Sequence, residues 1–374
     1  MPGSLRKRGE QTWEVRSELG RDPDTGKRRF RYQYVQGTKK QAEQALTATL
    51  HRRDTGTDVV PTRITVGEFL DRWLRDYAEV NVAPSTFQRY RQIVNRLKPH
   101  LATVRLQALR PAHIQETYGS LLRAGLALRT VLHHHRVLRQ ALQQAVRWQL
   151  IAHNPADAVT PPRPERTEMR TLDPSGVHRL LDGCADEQLR ALISTAVTTG
   201  MRLGELLGLR WSDCDLAGGT IYLSRAAQYL AATGVTFRTP KTSRSRRSIA
   251  LSIDAVAVLR AHRARQLEAR LAVGPGYRNG DLVFATAGGD PIPPYRVSAT
   301  FSTLVKRLGI GPLRFHDLRH TAATLMLRAG VHPKIVSERL GHATVAITLD
   351  TYSHVLPDMQ RDAAAALEVV LARH

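Results

Sequence analysis

The sequence contains little cysteine. Its 374 residues include only two cysteines, Cys184 and Cys214. Two thiols supply neither a disulfide framework nor a four-ligand zinc site, which excludes the small secreted domains and zinc modules that depend on them. We therefore expect both cysteines to be reduced core thiols of a cytoplasmic protein.

The sequence also lacks long apolar runs and is poor in acidic residues. No apolar stretch reaches the roughly 18 residues of a membrane helix, and the basic start "MPGSLRKRGE" is not followed by the apolar segment of a secretory signal. The 33 acidic residues are outnumbered by 55 basic ones, which gives a net charge of +22 and a pI near 10.9. Such an excess attracts a polyanion. Nucleic acid is the first candidate and an anionic membrane surface the second.

The first of three segments covers residues 1–60. Two stretches with strand-like alternation, "QTWEVRSEL" and "KRRFRYQYV", flank turn residues, and a helical pattern follows that ends near Gly56. Basic charge and the aromatic residues Phe30, Tyr32 and Tyr34 set among arginines favour a DNA-binding module. A stabilising N-terminal extension is the alternative.

The second segment covers residues 63–159. Apolar residues recur at helical spacing in residues 65–80, 85–101, 111–125 and 127–150, which predicts a bundle of four or five helices with arginines on its polar faces. Ser85 is the expected N-cap of the second of these helices. The adjacent His133, His134 and His135 point in different directions from one helix, so we expect no metal site there.

The proline-rich, charged residues 160–170 predict a stiff linker to a third segment, residues 171–374. That segment has helical patterns first, strand patterns between about Thr220 and Leu251, and helical patterns last. The whole chain thus predicts a mainly α fold with small β elements (α+β). It comprises a small β-sheet and helix module, a helical bundle and a mixed α/β domain.

Several short motifs in the third segment carry reactive side chains. "HDLRHTAATLMLRAG" places His316 and Arg319 at the start of a helix, but His-x-x-Arg occurs three times in the chain and is weak by itself. The other motifs also have structural explanations that need no catalysis. Arg202 and Glu205, three residues apart, could form a surface ion pair, and Pro240 and Lys241 lie at a basic turn between two predicted strands that could be a solvated loop. His342 precedes a helix that carries Tyr352, and that tyrosine could simply be packed.

In this order, "TGMRLGEL", "PKTSRSRRS", "HDLRHTAAT", "LGH" and "TLDTYSHV" resemble the tyrosine recombinases, the phage-integrase family. The resemblance covers the whole third segment, and five ordered motifs are a specific signal. It implies that residues 171–374 form the catalytic domain with a C-terminal helix. It further implies that residues 63–159 form a helical core-DNA-binding domain and, through a weaker match, that residues 1–60 form an arm-site DNA-binding domain.

The resemblance implies a site-specific recombinase that forms a 3′-phosphotyrosine intermediate and integrates, and also excises, a mobile element or prophage. Tyr352 matches the nucleophile, and Glu205 matches a supporting acidic position. His320 fits the local pattern, but we expect no chemical role for it. The remaining matched positions are Arg202, Lys241, His316, Arg319 and His342.

The chemistry accounts for these residue types. A tyrosine ester conserves the energy of the broken phosphodiester, and two arginine forks suit the non-bridging oxygens of the transition state. His316 is the expected base for Tyr352, and Lys241 the expected acid for the leaving 5′ oxygen. We expect no cofactor and no metal, because the arginine pair takes the role of a divalent ion.

The expected partners are double-stranded DNA attachment sites and three further copies of the chain, in a tetramer on DNA. A bending protein and a directionality factor are candidate accessory partners, no membrane is expected, and the location is the nucleoid in a bacterial cytoplasm. A chromosome-dimer-resolving recombinase, a type IB topoisomerase and a non-catalytic DNA-binding regulator are the alternatives.

Overall fold

A computed structural model of the chain describes residues 3–21, 26, 28–54, 59, 61–165, 169–239, 247–352, 368 and 371. The chain divides into two compact units, residues 1–166 and 167–374. The fold is mostly helical with small antiparallel sheets, which confirms the predicted class. The boundaries of the three predicted domains and the linker stay predictions.

The first unit begins with a three-stranded antiparallel sheet in the order β1-β2-β3, followed by helix α1. The sequence predicted β2 and β3 but not β1. Val15 faces inward from β2, and the guanidinium of Arg16 lies 3.6 Å from the centroid of the Phe30 ring. The expected helix end near Gly56 lies outside the described residues. The bounds are β1 Gly3–Lys7, β2 Thr12–Arg21, β3 Arg28–Gln36 and α1 Lys39–Asp54.

The same unit continues with the predicted helices. The first starts at a capping box, in which Oγ1 of Thr65 accepts from the Glu68 amide and the Glu68 carboxylate accepts from the Thr65 amide. The prediction of Ser85 as an N-cap is wrong. That helix begins at Pro84, whose missing N–H costs nothing at a first helical position. The bounds are α2 Val66–Trp73, a π-helical turn Leu74–Ala78, α3 Glu79–Asn81, α4 Pro84–Leu101, α5 Pro111–Arg123 and α6 Leu128–Arg147.

The described part of the second unit begins with α7 and ends with α14, and it holds two small sheets of orders β4-β5-β8 and β6-β7. The predicted C-terminal helix after Pro357 falls almost wholly outside the described residues. Its core surrounds α8, which packs against α10 and α12. The helices are α7 Pro174–Asp182, α8 Glu187–Thr199, α9 Leu203–Gly208, α10 Ile253–Val273, α11 Pro294–Arg307, α12 Asp317–Arg328, α13 Pro333–Leu340 and α14 Val345–Tyr352. The strands are β4 Cys214–Asp215, β5 Thr220–Tyr222, β6 Ala226–Leu230, β7 Gly234–Arg238 and β8 Ser248–Ala250.

The two strands predicted around the Lys241 turn do not pair with each other. β7 pairs with β6, and β8 pairs with β5 in the other sheet. A tight turn that ends at Gly234, with φ +73°, brings β7 back onto β6, so its nearest partner precedes it in the chain. Lys241 itself lies outside the described residues. Among the helices of the described residues, none has the length and apolar character needed to cross a bilayer.

Candidate active site

Two arginines from distant parts of the second unit meet at the end of α13. Arg202 is the N-cap of α9, and Arg319 lies in the first turn of α12. Arg319 donates through Nη1 to the Gly200 carbonyl at 2.7 Å and through Nη2 to the Leu340 carbonyl at 2.8 Å. Arg202 donates through Nη2 to the carbonyl of Gly341 at 3.5 Å. The backbone of residues 340–341 therefore holds both guanidinium groups side by side.

Glycines at two helix ends make this arrangement possible. Gly200 ends α8 with φ +68°, and Gly341 ends α13 with φ +69°, a left-handed conformation that side chains rarely adopt. A Cβ at Gly200 would stand 2.4 Å from a methyl of Leu340. The close approach of the two helix ends thus requires glycine at this point, and it turns their carbonyls towards the arginines.

A buried carboxylate orients Arg202. Glu205 accepts from the Arg202 amide and from its Nη1, both at 2.9 Å. Arg247 approaches from the other side and donates to Oε1 at 3.3 Å and to Oε2 at 3.0 Å, while its Nε donates to the Arg339 carbonyl at 2.7 Å. The side chains of Glu205 and Arg247 are 9% and 7% exposed. Glu205 is thus the centre of an Arg–Glu–Arg triad in which Glu205 and Arg247 are buried and Arg202 is partly exposed.

The electrostatics of this cluster is dominated by cations. Burial opposes ionisation of Glu205, but the bonds and charge of Arg247, followed by Arg202, lower the pKa of its carboxyl below the usual value. Burial, together with the charge of Arg202, lowers the pKa of Arg319 to about 9, so Arg319 stays cationic at neutral pH. Three arginines and one carboxylate leave a net positive site for an anion.

Helix α14 places Tyr352 beside this site. Thr348 and Tyr352 are one turn apart on the same buried face of the helix. Nδ1 of His320 lies 2.8 Å from Oη of Tyr352, and Nδ1 of His342 lies 2.8 Å from Oγ1 of Thr348. Two histidines from outside α14 thus hold its inner face by hydrogen bonds to hydroxyl groups.

Burial also shifts the pKa values of Tyr352, His320 and His342. It raises the pKa of Tyr352 to about 12, a shift that the charge of Arg319 opposes. It lowers the pKa values of His320 and His342 to about 4, and neighbouring cationic groups add to that effect. At neutral pH the phenol is protonated and both imidazoles are neutral, so each ring carries one acceptor nitrogen.

The structure brings five of the seven predicted site residues into one region: Arg202, Glu205, Arg319, His342 and Tyr352. His316 is exposed at the start of α12, with its ring centroid 5.1 Å from that of His320. The imidazole on the Tyr352 hydroxyl is therefore that of His320, to which the sequence analysis gave no chemical role. Lys241 lies outside the described residues.

Two residues of this region were not predicted to belong to the site: His320, for which no chemical role was expected, and Arg247. His320 follows His316 by four residues, so both lie on one helix face, and that spacing was the available signal. Arg247 ends the basic run "RSRR", in which nothing distinguishes a buried arginine from a solvated one. Within the part of the chain that the structure describes, no three His, Cys, Asp or Glu side chains form a group that could hold a metal ion.

Comparison with protein families places this geometry in context. A model described as "Phage integrase family" matches residues 170–359, and "Phage integrase, N-terminal SAM-like domain" matches residues 65–122. The chain is 30% identical to a "Tyrosine recombinase XerC-like" protein of Caldanaerobacter subterraneus subsp. tengcongensis, over 96% of this chain and 97% of that one. It is 26% identical to the ICEBs1 integrase of Bacillus subtilis, over 98% of this chain and 100% of that one.

Solved structures share the fold. The Tn1549 transposon integrase in complex with a circular intermediate DNA superposes with a TM-score of 0.70 at 21% identity, covering 81% of this chain and 99% of that chain. A λ integrase tetramer bound to a Holliday junction superposes with a TM-score of 0.58 at 20% identity, covering 93% and 95%.

Proposed function

The chain belongs to the phage integrase family of tyrosine recombinases, and we propose that Tyr352 is its nucleophile in a metal-independent integration and excision of a mobile element or prophage. The observation that carries this proposal is the meeting of Arg202 and Arg319 at residues 340–341, next to the helix that carries Tyr352. Four separate stretches of sequence, which contain Arg202, Arg319, residues 340–341 and Tyr352, thus contribute to this one cationic site.

In the proposed reaction, Oη of Tyr352 attacks the scissile phosphorus as the bond from phosphorus to the 5′ oxygen breaks. The 3′ end of the strand is then held as a phosphotyrosine ester. Because one phosphodiester replaces another, the step is reversible, and the 5′ hydroxyl of a second strand can attack the ester to rejoin the DNA. No external energy source is needed.

Arg202 and Arg319 stabilise the transition state in this mechanism. Each guanidinium has N–H groups beyond those that bind the backbone carbonyls and, for Arg202, the Glu205 carboxylate, and these can donate to the non-bridging oxygens of the phosphate. Groups held in advance at such positions contribute about 3–4 kcal/mol each. Glu205 and Arg247 set the orientation of Arg202, and His342 supplies a further donor.

We assign protonation of the leaving 5′ oxygen to Lys241, as the family motif implies. Its segment joins β7 to β8, and Arg247 stands directly before β8. The bonds of Arg247 to Glu205 and to the Arg339 carbonyl therefore tie one end of the Lys241 segment to the phosphate site. We assign to His316, which is exposed at the start of α12, the binding of a phosphate oxygen.

We propose double-stranded DNA attachment sites as the substrate and a tetramer as the active assembly. The λ integrase structure holds a tetramer on a junction, and the net charge of +22 here suits a long polyanion. In this proposal residues 63–159 bind the core site and residues 1–60 the arm sites. Binding should weaken with salt, with a log–log slope of about −0.9 for each phosphate neutralised.

The test is covalent capture on a nicked suicide substrate that carries the attachment site, in EDTA. We expect a protein–DNA adduct on a denaturing gel for the wild type and none for Tyr352→Phe. An adduct that persists in Tyr352→Phe would show that the nucleophile is another residue. Specific DNA binding without an adduct in either protein would favour a non-catalytic regulator, unless an added host extract restores the adduct and thereby reveals a required partner.

A further inference from the structure

Among the described residues, one imidazole contacts the phenol of Tyr352. Nδ1 of His320 lies 2.8 Å from Oη, with the two ring centroids 5.8 Å apart. His316, four residues earlier on the same helix, meets His320 edge to face instead. A group that takes the proton of a nucleophile has to be within hydrogen-bond reach of that proton, and His320 meets this condition.

Resting on the proposed function, we propose that His320, in place of His316, is the general base for the attack of Tyr352. As the Oη–phosphorus bond forms, the phenolic proton moves to Nδ1 of His320 and gives an imidazolium. The electron pair of the breaking bond leaves with the 5′ oxygen, which takes a proton from Lys241. In the rejoining step the imidazolium returns its proton to Oη.

The surroundings keep the proton on Tyr352 until the attack. The pKa of the phenol is raised to about 12 and that of His320 is lowered to about 4, mainly through burial in both cases. A scissile phosphate brings negative charge next to the imidazole and favours its protonated form. Transfer is therefore coupled to the arrival of DNA. Among the described residues, the charged or titratable groups around His320 include Arg314, His316, Asp317, Arg319, His342 and Tyr352.

The distribution of the two histidines supports this division of roles. His316 is exposed, so a phosphate of bound DNA can reach it, whereas His320 is partly buried against α14. Tyr352 is only 1% exposed, which keeps bulk water from Oη in the free protein. In these surroundings His320 is the side chain placed to accept the phenolic proton.

The experiment compares His320→Ala and His320→Asn with the wild type and His316→Ala. Single-turnover adduct formation is measured at saturating suicide substrate between pH 6 and pH 10. The asparagine oxygen can replace Nδ1 as a hydrogen-bond acceptor but cannot carry the proton. We expect both His320 variants to lose about 100-fold or more in rate with unchanged DNA affinity, because general bases contribute about 10²–10⁴-fold.

Two further readouts separate a base from a structural residue. The rate of the His320 variants should rise about tenfold per pH unit, as hydroxide replaces the base, and added imidazole should partly restore His320→Ala. A substrate with sulfur at the bridging 5′ position has a leaving group that needs no proton. It should rescue Lys241→Ala and leave the His320 variants slow.

Full activity in His320→Asn would overturn the proposal, since it would show that positioning is sufficient. So would a rate above wild type in His320→Ala, which would make the hydrogen bond a resting-state lock, or a pH slope and imidazole rescue seen only in His316→Ala. Normal adduct formation by the wild type together with any of these results would reject the role of His320 alone. Absence of the wild-type adduct would reject the proposed function itself.

Discussion

Within the described residues, each of the two units has a buried tyrosine whose hydroxyl contacts a histidine ring. In the helical bundle, Oη of Tyr118 lies 3.1 Å from Nδ1 of His135, and in the second unit Oη of Tyr352 lies 2.8 Å from Nδ1 of His320. Both tyrosines are 1% exposed. Burial raises the pKa of each phenol and lowers the pKa of each imidazole. Considered without their surroundings, the two tyrosine–histidine contacts are therefore of the same kind.

The difference lies in the charges around the two pairs. Beside His135, Arg139 donates to the Asp157 carboxylate at 2.6 Å, and both side chains are about half exposed, so their charges cancel at the surface. Beside Tyr352, Arg319 is buried on backbone carbonyls, and among the described residues it forms no ion pair with a carboxylate, although Glu205 acts on it through its charge. The Tyr118–His135 pair therefore serves packing in the first unit, whereas the neighbouring arginines make the Tyr352–His320 pair part of a candidate active site in the second.

The largest contrast should come from removing the two hydroxyl groups. Tyr352→Phe should abolish adduct formation, because the attacking oxygen is gone. Tyr118→Phe should leave the adduct rate per folded molecule within about twofold of wild type. It should lower the free energy of unfolding by about 1–3 kcal/mol, because the partner nitrogen of His135 stays buried without its bond. Gel capture and urea denaturation measure the two effects. Equal loss of adduct in both variants would break the comparison.

The second largest effect should come from replacing Arg202, one of the two arginines of the proposed phosphate site. Arg202→Ala should lower the single-turnover cleavage rate by about 10²–10³-fold, the usual cost of one preorganised donor to a transition-state oxygen. Arg202→Lys keeps the charge but loses the planar fork, so we expect it to recover only part of the rate. Rapid-quench adduct formation at saturating DNA gives both values. Full recovery with lysine would mean that a point charge is sufficient at this position.

Replacing Glu205, the buried centre of the Arg–Glu–Arg triad, should have the smallest effect on the cleavage rate but should measurably lower the free energy of unfolding. Glu205→Ala leaves Arg247 buried without a counter-ion and should cost about 3–5 kcal/mol of unfolding free energy. The exposed pair in the bundle is the control, and Asp157→Asn should cost about 1 kcal/mol or less. Urea denaturation of the full chain compares the two variants. Equal costs would contradict the assignment of Glu205 as a buried centre.

The pH dependence of that stability follows from the lowered pKa of Glu205. Its contribution is present above the unfolded value, near 4.5, and is lost as the pH falls through the lower folded value. The difference in unfolding free energy between wild type and Glu205→Gln should therefore be constant near neutral pH and shrink below about pH 4.5. A difference that stayed constant down to pH 2 would show that the carboxylate charge contributes nothing.

Much of the fold and site could be predicted from the sequence. Helical periodicity predicted the helices of residues 63–159, and ordered motifs predicted Arg202, Glu205, Arg319, His342 and Tyr352, which the structure brings into one region. Local spacing and residue type were sufficient for these predictions, and the catalytic roles of the five residues stay predictions. The two strands around Lys241 were predicted but their partners were not, because the partner of β7 depends on the turn before it, and the strand β1 was too short and basic to stand out.

The sequence by itself indicated a DNA recombinase, because a basic chain carries two arginines, a tyrosine and histidines in the order typical of that family. Only the tertiary structure decided which histidine contacts Tyr352 and which of the basic residues before β8 is buried on Glu205. His316 and His320 share a helix face, so spacing cannot distinguish them. The packing of α14 against α12 does, because it brings Oη of Tyr352 to 2.8 Å from Nδ1 of His320. Likewise, Arg247 differs from its neighbours only through the buried carboxylate that it meets.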